Sequence, residues 1–79
     1  MNEQKIKSDT EILIGKNIRE IRKSKQIGQT ELVRLLQLHG VSITRETLVK
    51  IERGIQHIYA SQLRAIKEAL DTTYDELLK

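Results

Sequence analysis

Cysteine is absent from this chain of 79 residues, and histidine occurs only twice. Without thiols the chain can form neither a disulfide framework nor a zinc–thiolate site, and nothing indicates an oxidising compartment. The two histidines, His39 and His57, have no carboxylate or thiol at metal-ligand spacing in the sequence. We therefore expect no bound metal and no cofactor.

Long apolar runs are also missing. No segment approaches the ~18–20 consecutive apolar residues that a membrane-spanning helix needs. Residues 1–7, Met-Asn-Glu-Gln-Lys-Ile-Lys, lack the hydrophobic centre of a signal peptide. We therefore expect a soluble, intracellular protein with no membrane partner.

The residues of an enzyme active site are a third absence. No nucleophile, general base and orienting group can be assembled from the sequence, and no glycine-rich phosphate loop is present. Asp75 and Glu76 fall in the first turn of a predicted helix, where the helix dipole favours acids, so they need no catalytic role. We expect that the protein is not an enzyme.

Charge is present but unevenly placed. The formal net charge is only +3, yet residues 16–53 hold nine Lys or Arg against four acids, a local +5. Residues 68–79 hold four acids against Lys79 alone, a local −3. A basic centre favours a polyanionic partner and leaves the acidic tail free for protein contact, while a solvated surface of mixed charges is the alternative.

The length predicts a single domain, because a chain of this size buries only about 60–65% of its unfolded surface. We assign residues 1–7 to a flexible N-terminal segment and residues 8–79 to an all-α domain without strands. Ser8 and Glu11 fit a capping box that begins the first helix. The helices are predicted at residues 8–25, 28–39, 44–53, 61–70 and 71–78. Apolar residues at helical spacing predict the core: Ile14, Ile18, Ile21, Ile27, Leu32, Leu35, Leu36, Leu38, Leu48, Ile51, Ile55, Leu63, Ile66, Ala69, Leu70 and Tyr74.

The third helix organises the rest of the chain. Thr44 fits an N-cap, and Gly54 can adopt the positive φ that often follows a helix. Leu48 and Ile51 mark its inward face, with Ile55 just beyond it. Its outward face carries Arg45, Glu46, Val49, Lys50 and Arg53.

That outward face has the chemistry of a reader of DNA base edges. Arginine and lysine can pair with guanine, glutamate can accept a hydrogen bond from cytosine, and valine can contact the methyl group of thymine. A solvated helix face is the alternative that composition leaves open.

Several fragments in order resemble the repressor/Cro-like helix-turn-helix family, also called the xenobiotic-response-element family. They are Ile-Gly-Lys-Asn-Ile-Arg-Glu-Ile-Arg at residues 14–22, Gln-Thr-Glu-Leu at 29–32, Thr-Leu-Val-Lys-Ile-Glu-Arg-Gly at 47–54, and Tyr-Asp-Glu-Leu-Leu at 74–78. The resemblance covers residues 12–78. It implies a compact five-helix, lambda-repressor-like DNA-binding domain.

The resemblance also implies roles for particular residues. Base contacts carry over to Arg45, Glu46, Val49 and Lys50. Phosphate contacts carry over to Gln29, Thr44, Arg53, Gln56 and His57. Arg22 and Glu52 match a buried ion pair that ties the first helix to the recognition helix, and two independent surface charges are the alternative.

The sequence departs from the family pattern between the second and third helices. Leu38 to Ile43 forms a connection about five residues longer than the usual tight turn, in which His39 and Ser42 could reach the DNA backbone. Val33 stands where the family usually has alanine, and Gly28 replaces the usual hydroxyl cap.

Two functional hypotheses follow. In the first, the protein is a cytoplasmic, nucleoid-associated transcriptional regulator of prokaryotic or phage type, a repressor that binds double-stranded operator DNA as a homodimer through Tyr74, Leu77 and Leu78, with Ile12 or Leu13. In the second, it is an antitoxin-type module that binds a regulatory partner protein, neutralises it, and autoregulates its own promoter.

Overall fold

The computed structural model describes residues 5–6 and 13–79. Within them the chain forms five helices: α1 (Ile14–Ser24), α2 (Gln29–Leu38), α3 (Arg45–Glu52), α4 (Ala60–Ala69) and α5 (Tyr74–Leu78). Helix α1 packs on α3 and α5, and α2 packs on α3 and α4. The predicted five-helix fold is confirmed. None of the described helices is both long and apolar enough to cross a bilayer.

A two-residue strand pair joins the start of the chain to the loop before α4. Strand β1 (Lys5–Ile6) runs antiparallel to β2 (Ile58–Tyr59), with Ile6 opposite Ile58. No strand was predicted from the sequence, and the β1–β2 pair corrects that prediction. The assignment of residues 1–7 to a flexible segment stays a prediction, and residues 1–4 and 7 lie outside the described ranges.

The starts of two helices are fixed by threonine side chains. Thr44 Oγ1 accepts a hydrogen bond from the backbone N–H of Thr47 at 3.0 Å, which confirms the predicted cap of α3. Thr73 caps α5 in the same way. Within the described residues α1 begins at Ile14, after the non-helical backbone of Leu13, so the predicted first helix does not continue through residue 13. Residues 8 and 11 themselves fall outside the described residues.

Helices α1 to α4 all end in Schellman motifs, in which two backbone N–H groups return to the last turn. In α3 the N–H of Gly54 donates to the carbonyl oxygen of Ile51, and the N–H of Ile55 donates to the carbonyl oxygen of Lys50, both at 3.0 Å. The residue after the helix cap has a positive φ in each motif. These residues are Gln26, Gly40, Gly54 and Asp71.

The core lies between the helices and contains most of the predicted apolar residues. Three predicted core residues are wrong, since Leu38, Ile55 and Tyr74 are 79%, 63% and 40% exposed. Each stands at the edge of a helix: Leu38 is the last residue of α2, Ile55 follows the reversal at Gly54, and Tyr74 is the first residue of α5. The buried core residues are Ile14, Ile18, Leu32, Leu36, Leu48, Ile51, Ile58, Leu63, Ala65, Ile66, Leu70 and Leu77.

Helix α5 is held against α1 by one buried polar side chain. Asn17 Nδ2 donates to the carbonyl oxygens of Leu77 at 2.9 Å and Lys79 at 3.0 Å, and these carbonyls have no partner within so short a helix. Leu77 is 0% exposed. The prediction that Leu77 forms a dimer interface is therefore wrong, because its side chain is already used in the core.

Helices α1 and α3 approach so closely that only glycine fits at position 15. A Cβ atom there would collide with the carbonyl oxygen of Ile51 and would lie 2.9 Å from that of Glu52. This contact fixes the distance between α1 and the predicted recognition helix.

Candidate nucleic-acid interface

Helix α3 separates its buried and exposed residues as the sequence predicted. Leu48 and Ile51 are buried, at 0% and 2% exposure. On the other side the charged residues Arg45, Glu46, Lys50 and Arg53 are exposed, and Val49 is half-buried. Within residues 5–6 and 13–79, none of these four charged side chains makes an ion pair or a side-chain hydrogen bond. The helix therefore offers an unpaired charged face to a partner.

The orientation of α3 is fixed by a buried ion pair. Arg22 Nε donates to Glu52 Oε2 at 2.7 Å, and Arg22 Nη2 donates to Glu52 Oε1 at 2.9 Å. The two residues are only 7% and 6% exposed, which confirms the predicted buried pair and rules out independent surface charges. A third bond, from Arg22 Nη1 to the carbonyl of Ile27 at 2.9 Å, fixes the guanidinium against the end of α1.

Gln29 joins α2 to the same carboxylate. Its Nε2 donates to Glu52 Oε1 at 3.1 Å, so one carboxylate binds side chains from two other helices. Gln29 is half-buried at the first position of α2. Because a primary amide carries two N–H donors, the second remains for another acceptor. The predicted phosphate contact of Gln29 stays a prediction, and its steadying of α3 is visible in this bond.

The other predicted phosphate contacts lie at the two ends of α3. Arg53, Gln56 and His57 follow the helix and are all exposed. Thr44 precedes it, but its hydroxyl donates to Thr47 Oγ1 at 3.0 Å. Since a hydroxyl has one proton, a phosphate contact by Thr44 would have to replace that bond.

The connection between α2 and α3 spans residues 39–44, as the predicted long turn required. Val41 and Ile43 pack against the core, and Ser42 between them is exposed. His39 Nδ1 lies 3.9 Å from Glu68 Oε1 on α4, a carboxylate that is distant in sequence. Val41 and Ile43 thus hold the turn against the core, and Ser42 lies two residues before the Thr44 cap of α3.

A cleft where α1, α2 and α3 meet contains a residue that the sequence analysis did not assign to the site. Its lining includes Arg19 of α1 together with Gln29 and Arg53. Helical spacing could have indicated Arg19 as a site residue. Arg19 precedes Arg22 by three residues and so lies beside it on the surface of α1.

These features define a class. A helix with an exposed charged face, locked to two supporting helices inside a five-helix bundle, has the architecture of the repressor/Cro-like helix-turn-helix fold that the sequence resembles.

Comparison with solved structures agrees with this class. The restriction-modification controller protein C.AhdI from Aeromonas hydrophila superposes with a TM-score of 0.73 and 26% sequence identity, over 84% of this chain and 92% of that chain. The clp gene regulator ClgR from C. glutamicum superposes with a TM-score of 0.71 and 23% identity, over 82% of this chain and 78% of that chain. No family model and no curated protein sequence matches the chain.

Proposed function

We propose that this protein is a sequence-specific repressor of transcription that binds operator DNA with α3 in the major groove. The observation that carries the proposal is the exposed, unpaired charged face of α3, held in one orientation by the buried bond between Arg22 and Glu52. The likeness to a restriction-modification controller protein and to a clp gene regulator supports a regulatory role.

In this proposal the base contacts come from the outward residues of α3. Arg45 and Lys50 pair with guanines, and Glu46 accepts a hydrogen bond from a cytosine amino group. Val49 contacts a thymine methyl group from its half-buried position. The contacts to the DNA backbone come from Gln29, Thr44, Arg53, Gln56 and His57, and these fix the register of the helix without reading sequence.

The proposal includes a homodimer whose contact surface contains Tyr74 and Leu78. These α5 residues are 40% and 37% exposed, and Leu13 at the start of α1 is 45% exposed. A dimer would place two copies of α3 about 34 Å apart, on successive turns of one face of the duplex. Elution as a monomer at micromolar concentration in gel filtration contradicts the dimer. The expected location is the cytoplasm, on the nucleoid.

Selection from random duplex DNA at fixed salt tests the proposal directly. We expect enrichment of a two-fold symmetric site, since the symmetry of the site reports the symmetry of the protein. Arg45→Ala and Lys50→Ala should each relax the preference at one position in each half-site by about 1–3 kcal/mol. The matched control is Arg34→Ala, which removes an exposed cation from α2.

Two outcomes contradict the proposal. Recovery of no preferred site at any salt concentration rules out sequence-specific binding. Retention of the full base preference by both α3 variants rules out α3 as the reader. The antitoxin-type hypothesis predicts a different result. The protein would then bind a partner protein, keep that binding after both substitutions, and show no operator preference of its own.

A further inference from the structure

Three helices meet at a cleft that opens beside the exposed face of α3. The cleft has a volume of about 390 Å³ and is lined by Arg19, Gln29, Val49, Glu52 and Arg53. Arg19 comes from α1, Gln29 begins α2, and the other three come from α3 and its cap. The cleft is therefore built by α1, α2 and α3 together, with one guanidinium from α1 and one from the cap of α3.

The acid in this cleft is already neutralised. Glu52 accepts two hydrogen bonds from Arg22, at 2.7 and 2.9 Å, and one from Gln29 at 3.1 Å. Its charge is balanced by Arg22, which is not among the residues that line the cleft. Arg19 and Arg53 consequently give the cleft an excess of two positive charges.

The two arginines have no ion-pair partner among residues 5–6 and 13–79. Both are exposed, and neither guanidinium is paired with any side chain in the described part of the protein. The acid nearest to Arg19 along α1, Glu20, lies 3.9 Å from Lys16 instead. Two unpaired cations that line one cleft raise the local concentration of anions.

The chemistry of the cleft suits a phosphate diester. A guanidinium presents a planar fork of donors that matches two phosphate oxygens, and two such forks can bind one phosphate from different sides. The second N–H of the Gln29 amide adds a neutral donor, oriented by the bond from the first to Glu52. The cleft also shares Val49 and Arg53 with the exposed side of α3, so a bound phosphate would lie at the edge of the groove that α3 enters.

We infer that this cleft binds one backbone phosphate of the DNA between Arg19 and Arg53, and that Arg19 is a DNA-positioning residue of α1. The inference rests on the proposed function and extends it. The contact is independent of sequence, and it anchors α1 and the end of α3 to the same point of the DNA strand. Because α1 is tied to α3 through Arg22, that anchor sets the depth at which α3 sits in the groove.

The test uses the full chain and the duplex recovered from random-sequence selection. Arg19→Gln should weaken binding about tenfold at low salt without changing the melting temperature, because the side chain is exposed and a charged hydrogen bond is lost. Arg34→Gln is the control: it removes the same charge from α2, about 140° around the helix from Gln29. It should leave affinity nearly unchanged. Arg19→Lys should retain part of the affinity, since the charge stays while the fork is lost.

Replacement of single phosphates by neutral methylphosphonates identifies the contact. Neutralising one position per half-site should weaken binding by the wild-type protein and have a much smaller effect on the Arg19→Gln/Arg53→Gln double variant, in which only the neutral Gln29 donor remains. In a plot of log K against log salt concentration, that variant should have a shallower slope than wild type, by about 0.9 for each half-site. This is the value for one phosphate, whereas two separate phosphate contacts would change the slope by twice that amount.

The outcomes separate this inference from the proposed function. If wild-type protein selects a site and Arg19→Gln keeps wild-type affinity and the wild-type pattern of phosphate sensitivity, the inference fails while the function stands. If the two arginines respond to different phosphates, the shared site is also wrong. If wild-type protein binds no duplex even at low salt, both fail together.

Discussion

Replacement of Glu52 by glutamine is expected to destabilise the domain by about 3–5 kcal/mol, because it leaves the Arg22 guanidinium buried without its counter-charge. Glutamine keeps the size of the side chain, so the loss reports charge and hydrogen bonding rather than a cavity. Arg22 is 7% exposed and receives little help from solvent. Glutamine offers the guanidinium one neutral amide oxygen in place of two carboxylate oxygens, and its NH₂ group brings a donor against the donors of Arg22. The bond that Nη1 donates to the carbonyl of Ile27 remains.

The expected loss is large relative to the total free energy of unfolding. A domain of this length has a free energy of unfolding of roughly 4–12 kcal/mol at ordinary values per residue. A loss of this size should lower Tm by more than about 12 °C, at roughly 4–8 °C for each kcal/mol. Urea unfolding followed by circular dichroism at 222 nm measures the loss, and an unchanged m value shows that the variant exposes the same amount of surface on unfolding.

Two comparisons make the result specific. Glu20→Gln removes the exposed partner of Lys16 on α1, a contact of 3.9 Å, and should cost less than about 0.5 kcal/mol. The double variant Arg22→Met/Glu52→Leu removes both buried charges and should recover most of the stability lost by Glu52→Gln. A Glu52→Gln protein within about 1 kcal/mol of wild type, with an unchanged m value, refutes the reasoning.

Two further predictions concern the geometry of α3. Gly15→Ala should destabilise the domain by about 1–3 kcal/mol and weaken DNA binding, because the new Cβ forces α1 away from the Ile51 carbonyl. Gly28→Ser, at a position where nothing lies within 4 Å of the added Cβ, should instead stabilise the domain by a few tenths of a kcal/mol. Urea unfolding measures both changes in stability, and duplex titration measures the change in DNA binding. Thr44→Ala should cost about 1 kcal/mol in the same unfolding assay through loss of the α3 cap, whereas Thr44→Ser should be close to neutral.

Local signals in the sequence were sufficient for α3. A threonine before the helix and a glycine after it act within a few residues of themselves, so the Thr44 cap and the positive φ of Gly54 follow from chain chemistry alone. The inward side of Leu48 and Ile51 follows from helical spacing. The buried partnership of Arg22 and Glu52, thirty positions apart, came from the resemblance, because spacing alone could not pair them.

The predictions of burial from the sequence were wrong where burial depends on a residue that is distant along the chain. Leu38 and Ile55 fit an apolar pattern but lie at helix edges, where they are largely exposed, and a periodic pattern cannot reveal this. Leu77 was predicted to be exposed at a dimer interface. Asn17, sixty positions away in the sequence, bonds to the carbonyl oxygen of Leu77 and holds α5 against α1, where the Leu77 side chain is buried. The β1–β2 pair is two residues long, too short for an alternating pattern to register.

The carboxylate of Glu52 connects the stability of the fold to the geometry of the DNA-binding surface. It accepts hydrogen bonds from α1 and α2 while its own backbone belongs to α3, so the three helices that build the phosphate cleft share one polar centre. Its loss should therefore weaken DNA binding even at temperatures where the variant remains folded, because Gln29 and Arg53 lose their fixed relation. Arg19 makes no such bond to any of the residues that the structure describes. Replacing it should change binding without changing stability, and the contrast between the two residues separates the scaffold of the site from its contact with DNA.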